Sequence, residues 1–409
     1  MELPVSKTER LYYNDSFLYN FGATVLEATA GENGLTCVVL DRTAMYPTSG
    51  GQPFDTGSLR IGEHEYRVLE VRDRDEDAAI LHMVESTGDI TPGTPVSGVI
   101  NEDRRRDHMQ QHSGQHVLSA AFVELFRFAT VSFHLGDETC SIDLDTTSIS
   151  SRQIEEAERL ANRVVMEGRP VEIRYASAEE AQQMGLRKLP PRTGTVRLID
   201  IRNFDLTACG GTHVRSTGQI GAILLRKVEK VKQGMRVEFV CGERAVRASR
   251  REYLALTQAA EVLSTATSDL PAQVGRLSEE LKSVEKKHAR ILEQLAEYEA
   301  RDLVAQAQAS SSTLVEKTYS DRDAVYAKLI AKNAISAGAV GALITSTLNP
   351  PALVLATSPG SGLNAGTILK QALAAVGGRG GGSAELAQGG VADQEKLAAA
   401  IQAIRGQIH

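Results

Sequence analysis

His112-Ser113-Gly114-Gln115-His116 is the stretch from which the rest of the chain is read. It sits within residues 105–126, where Val117, Ala120, Ala121, Phe122, Leu125 and Phe126 fall at helical spacing. Four residues along a helix is just over one turn. Two histidines so separated project from one face, roughly 6 Å apart at Cβ, and are able to share one metal ion. Further along, Cys209-Gly210-Gly211-Thr212-His213 adds a thiolate and a third imidazole beside paired glycines, in a segment that reads as a turn. Three nitrogens and one sulfur make a set that zinc accepts. An HxxxH alone is more often a pair of ordinary histidines, and a lone CxxxH is no stronger; the two together carry the reading. His108, one turn before His112, competes for the same role. Helical twist turns it about 80° from His116, a poorer pair than 112 with 116.

Upstream, residues 1–100 alternate short β-like runs (23–26, 36–40, 66–71 and 79–84) with Gly, Asn, Asp and Pro, the texture of a small β-barrel. Within it lies Asp41-Arg42-Thr43-Ala44-Met45-Tyr46-Pro47-Thr48-Ser49-Gly50-Gly51-Gln52-Pro53-Phe54. A hairpin loop is the ordinary reading. The functional one is a glycine-lined wall, because paired glycines allow backbone approaches that a Cβ would block.

Residues 101–245 continue from the histidine helix as an α+β domain. Strands are expected at 130–134 and 140–144 around Gly136-Asp137, and at 171–175, 196–201, 221–225 and 236–241. A second helix is expected over 150–166, capped by Ser150 or Ser151. A helix pair over a mainly antiparallel sheet follows. Over residues 246–310, Val274, Leu277, Leu281, Val284, His288, Ile291, Leu295 and Tyr298 step by threes and fours, a heptad seam with one polar interruption. Ser268-Asp269-Leu270-Pro271 separates it from an earlier helix over 244–266, which predicts an antiparallel helical hairpin or coiled coil. Residues 320–409 read as an α/β module. Apolar runs at 342–346 and 352–356 suit a covered sheet, with helices near 324–337, 364–375 and 393–404. Its glycine run, Gly377-Gly378-Arg379-Gly380-Gly381-Gly382-Ser383, reads as a loop able to offer backbone N–H groups to an anion. It is neither a P-loop nor a GxGxxG after a strand, so no nucleoside triphosphate is indicated. The fold class expected is α+β multidomain.

A net charge of −7 argues against a uniformly basic nucleic-acid binder. The distribution is less even: Arg104-Arg105-Arg106 opens the histidine helix, and residues 226–251 hold nine basic against three acidic side chains. Such a stripe is either a solvated face or a contact for phosphates. No apolar run approaches the roughly eighteen residues of a membrane span. Four scattered cysteines fit a reducing cytoplasm, and Met1-Glu2-Leu3-Pro4-Val5-Ser6 does not read as a signal peptide.

Taken together, Thr43-Ala44-Met45-Tyr46-Pro47 with Ser49-Gly50-Gly51-Gln52, then His112 and His116, then Cys209-Gly210-Gly211-Thr212-His213 resemble the editing domain of alanyl-tRNA synthetase and its free-standing relatives, the AlaX trans-editing proteins. The last module, with its glycine run and Ala387-Gln388-Gly389-Gly390, resembles the DHHA1 domain of the same synthetase. The resemblance implies zinc on His112, His116, Cys209 and His213, with His108 as a neighbour. It implies hydrolysis of tRNA(Ala) mischarged with serine, and with glycine second, in the cytoplasm and away from membranes. A homodimer through the helical hairpin and the C-terminal domain is a further expectation. Thr43 matches the position whose hydroxyl is implicated in recognising serine. Gln115 and His134, the latter on the strand beside the metal helix, join it as candidate catalytic residues. Gly50, Gly51, Gln52 and Ser132 are candidate substrate-binding residues. The barrel begins near residue 10, so the long AlaX form, without charging activity, is expected. Asp107-His108 is followed by Met109, so the Asp-His-His motif of phosphoesterases is not met. The helix also lacks the glutamate of HExxH zinc peptidases. A non-catalytic tRNA-binding factor on the same fold is the alternative.

Overall fold

Alternating apolar and polar residues close the first strands into a barrel. In a computed structural model, which describes residues 8–85, 90–187, 194–232 and 234–408, six strands pair around a closed ring. Their order is Asn20–Ala30, Thr36–Leu40, Ala79–Val84, His64–Arg74, Gly57–Ile61 and Pro95–Ile100. Every pairing is antiparallel. Pro95–Ile100 shows the cause plainly: positions 96, 98 and 100 are buried and 95, 97 and 99 exposed, the period of two that a pleated strand imposes. Val25, Val38, Leu40, Leu59, Val68, Val71 and Ile80 fill the interior. Each contributes about 1.5–3 kcal/mol by leaving water. Met1–Ser6, read above for a signal peptide, lies outside the described residues.

The histidine helix, Glu102–Phe126, starts where Asn101 accepts a hydrogen bond from the Arg104 N–H. Glu102 and Asp103 sit in its positively polarised first turn. It ends at Arg127 in the left-handed conformation, φ 61°. Nearly every side chain from His108 to Phe122 is buried, because the helix runs through the core rather than over it. A four-stranded antiparallel sheet lies beneath, in the order Ile223–Val231, Gly234–Cys241, Cys140–Leu144, Thr130–Leu135. The helix Ser151–Met166, opened by a Ser150/Gln153 capping box, packs alongside. A separate three-stranded sheet, Val171–Ser177, Thr195–Ile201 and Asp205–Ala208, delivers Cys209 directly after its last strand.

By compactness the chain divides into Met1–Gln258 and Ala259–His409. In the second unit a mixed five-stranded sheet runs Leu314–Tyr319, Gly341–Ser346, Ala352–Thr357, Leu386–Gly390, Arg379–Gly382. Only the first pair is parallel. The helices Ala324–Ser336, Ala365–Ala375 and Gln394–Ile408 fall close to where the sequence puts them. The glycine run differs from its reading as a loop: Arg379–Gly382 is an exposed edge strand.

The long helix Leu270–Ala309 also departs from expectation. Its heptad seam is exposed, Leu281 and Ile291 at 60% each. What it buries is Ala296, Ala300 and Val304, with Leu292, Leu303 and Ala307 partly covered, in the core that holds Ala327, Ile330 and Ala334. Small alanines let the two helices approach closely, and a pattern search for large apolar residues passes over them. No helix among the described residues is long and apolar enough to cross a membrane.

Candidate metal centre

One helical turn separates His112 from His116, and their ring centroids lie 5.3 Å apart. The turn after Asp205–Ala208 brings the His213 ring to 4.5 Å from His112 and 4.8 Å from His116. Cys209 Sγ is 3.4 Å from His112 Nε2 and 3.3 Å from His213 Nε2. All four ligand atoms lie within 4.8 Å of one another. Around a tetrahedral zinc, with bonds of about 2.0 Å to nitrogen and 2.3 Å to sulfur, such atoms stand roughly 3.6 Å apart. The donor set therefore fits the ion. His108 is buried one turn away and stays outside the cluster, its Nδ1 without a hydrogen-bond partner among the described residues.

Each ligand imidazole is held from behind. His112 Nδ1 donates to Gln52 Oε1 at 2.8 Å, Ser113 Oγ lies 3.2 Å from His213 Nδ1, and His116 Nδ1 lies 3.3 Å from Asp205 Oδ2. With Nδ1 turned outward, Nε2 is left for the ion, the arrangement that fixes a ligand histidine's tautomer and orientation. The electrostatics follow from the crowding. Burial opposes a charged Cys209, but the imidazoles of His112 and His213 hold its thiol well below the ordinary range. Burial pushes His213 down to about 3. Burial also works against charging His116, yet hydrogen bonds to Asp205 and Cys209 raise it above its ordinary value. Zinc binding requires a thiolate and neutral imidazoles, and the lowered Cys209 and His213 both lean that way.

A buried polar network seats the barrel against this centre. Arg105, fully buried, forks onto the Asp55 carboxylate and donates to the Ser16 and Ala44 carbonyls. Asp55 also accepts from the Tyr46 N–H, and Ser16 Oγ accepts from the His213 N–H. Arg197 completes the frame: its Nη1 donates to the carbonyls of Cys209 (2.7 Å) and Gly211 (3.0 Å), its Nε to that of Tyr13.

The other expected residues take several places. Gln52 is fully buried, and besides holding His112 it donates from Nε2 to Thr212 Oγ1 and accepts from the Thr212 N–H. Expected to bind substrate, it instead ties the barrel loop to both halves of the ligand set. Gly50 and Gly51 are exposed beside it, and the Gly51 carbonyl accepts from the Leu135 N–H. Thr43 is fully buried. His82 must donate from Nδ1 to the Val38 carbonyl, so its Nε2 accepts from the Thr43 hydroxyl, which in turn accepts from the Met45 N–H. The hydroxyl thus has no donor left for a serine side chain. Gln115 is buried and donates to Ser119 Oγ.

Ser132 and His134 are not brought to the centre. From Ser132 to Leu135 the strand pairs without a break, and Phe133 faces inward, its ring 5.4 Å from His112. Its neighbours point the other way. Ser132 donates to Asp143, which Arg236 holds from the adjacent strand, and His134 is exposed. The pattern reading missed Phe133, Asp205 and Arg197. Asp205 had a signal, a carboxylate one short strand before Cys209; the other two had none.

The basic stripe is largely neutralised. Arg226, Lys227, Arg236, Arg244 and Arg247 pair with Glu252, Glu229, Asp143, Asp107 and Glu243. Lys230, Lys232, Arg250 and Arg251 fall outside those pairs.

Three segments match families with known members. Residues 4–104 match the class II (A) tRNA synthetases. Residues 196–237 match the second additional domain of threonyl and alanyl tRNA synthetases, and residues 321–409 the DHHA1 domain. Among curated relatives, the alanine–tRNA ligase of Pyrococcus abyssi is 32% identical over 98% of this chain and 44% of its own length. That of Pyrococcus furiosus is 33% identical over 100% of this chain and 44% of its own. The Archaeoglobus fulgidus enzyme is 33% identical over 94% and 42%. The chain thus spans less than half the length of these relatives.

Proposed function

We propose that this chain, a relative of the alanine–tRNA ligases that carries a DHHA1 domain, is an aminoacyl-tRNA deacylase. Its substrate is tRNA(Ala) mischarged with serine, and secondarily with glycine. It acts in trans, without charging tRNA, in the cytoplasm. The observation that carries the reading is the convergence of His112, His116, Cys209 and His213 to within 4.8 Å, beside the loop bearing Gly50 and Gly51.

Zinc on those four residues would have no open position and would orient the ester, and it would polarise the carbonyl only where Cys209 or one histidine swung away. The chain's own groups do the rest. Gln52 holds His112 in register, Gly50 and Gly51 leave room for a backbone or sugar to approach, and Phe133 shields one side of the centre from water. Thr43, its hydroxyl already engaged, shapes the wall through the Met45 N–H. Within the stripe, Lys230, Lys232, Arg250 and Arg251 lie outside its ion pairs and would meet tRNA phosphates. The exposed seam of the long helix supports a homodimer.

The test is hydrolysis of Ser-, Gly- and Ala-tRNA(Ala), with and without zinc. Ser- and Gly-tRNA should be cleaved, Ala-tRNA spared, and activity lost on chelation and regained with zinc. Tight tRNA binding without turnover would instead favour a non-catalytic binding factor. A charging assay with alanine and ATP should yield no product.

A further inference from the structure

The geometry points to Asp205 and Arg187 as a positioning pair that sets how strongly His116 holds the metal. The inference rests on the metal reading of the centre and deepens it. Among the three ligand histidines, His112 and His213 are backed by neutral groups, the Gln52 amide and the Ser113 hydroxyl. His116 alone is backed by a carboxylate. An imidazole that gives its Nδ1 hydrogen to a carboxylate is a better donor at Nε2 and is held in one orientation.

Asp205 is built for that task. Its side chain is only 2% exposed, and a carboxylate so buried is costly unless it is paired. Arg187 supplies the pairing, with Nε 2.8 Å from Oδ1 and Nη2 3.2 Å from Oδ2. Thr207 Oγ1 adds contacts of 3.2 and 3.1 Å to the two oxygens. Every acceptor direction of the carboxylate is thereby spoken for, and Oδ2 is pinned toward His116. Arg187 itself is 15% exposed and lines a cavity of about 740 Å³ with Val123, Thr130 and Phe204. The pair therefore reaches from the cavity wall to a metal ligand through one buried carboxylate.

The test uses the full chain, with zinc affinity read by chelator competition and ligand geometry by the visible spectrum of the cobalt(II)-loaded protein. Asp205→Asn keeps the shape and removes the charge. It should weaken zinc binding by about 10–100-fold and shift the cobalt bands, the range found when a partner behind a ligand histidine is lost. Arg187→Ala should weaken it several-fold, up to about tenfold, and Arg187→Lys should restore part of that loss. Parental affinity and an unchanged cobalt spectrum in folded Asp205→Asn would overturn the inference. Should Asp205→Asn fail to fold, Arg187→Ala decides, and unchanged affinity there overturns it equally. If the parent binds no zinc, the metal reading falls and takes this pair with it. If the parent binds zinc and deacylates while Asp205→Asn matches its affinity, only the pair falls.

Discussion

Glycine pairs occur in both units and look alike as sequence, yet they do different work. In the first unit, Gly51 has φ 86°, and a methyl group there would lie 2.8 Å from the Phe133 carbonyl oxygen. A methyl group on Gly211 would lie 2.2 Å from Cε1 of His112. Gly51 lets the loop close on the strand carrying Phe133, and Gly211 lets the turn close on His112. In the second unit, Gly389 makes room for Leu373, whose Cδ1 would be 2.2 Å from an added Cβ, and Gly381 faces open space. There the absence of side chains lets the helix Ala365–Ala375 settle on the sheet edge. The lesson is that a small residue marks a close approach, and only the neighbour says whether chemistry or packing needs it.

That contrast can be broken by adding one carbon at a time. Gly211→Ala should have the largest effect, since the His112 ring must leave its place. Zinc affinity should fall by about 100-fold or more in chelator competition, with hydrolysis lost alongside. Unchanged zinc binding would mean that the turn does not press on the ligand. Gly51→Ala comes next: strain at positive φ and contact with Phe133 should cost about 1–3 kcal/mol. Deacylation should drop while zinc stays bound, so a variant that loses zinc as readily as Gly211→Ala would merge two roles separated here. In the second unit, Gly389→Ala should destabilise by about 1–3 kcal/mol in thermal melts and leave zinc affinity alone. Gly381→Ala, with nothing within 4 Å, should stay within about 0.5 kcal/mol of the parent. A Gly381→Ala penalty equal to that of Gly389→Ala would mean the whole run, rather than particular approaches, is needed.

Much of this was legible in advance, and the failures have definite causes. Helical spacing put His112 and His116 together, and the glycines beside Cys209 and His213 marked the turn that meets them. Barrel strands were legible because their interior is apolar and their exterior is not. His134 was named because its strand lies beside the metal helix, but regular alternation along that strand turns Phe133 toward His112 and leaves Ser132 and His134 on the other side. The heptad seam of the long helix is real as a pattern but is exposed; the buried stripe is made of alanines, whose spacing carries little hydrophobic signal. The glycine run read as a loop because glycine weakens strands, yet an edge position pairs on one side only and accepts it.

Residue type and spacing were enough to pick out His112 with His116 and Cys209 with His213 as two pairs of candidate ligands, since a turn of helix and a tight turn each fix distance locally. What stands behind them was decided only by the tertiary structure. Gln52, Ser113 and Asp205 back the three imidazoles, and each stands 60 to 100 residues along the chain from the histidine it backs. Their partners are set by which buried polar groups must find one another once barrel, helix and sheets exclude water, a condition that no local pattern encodes.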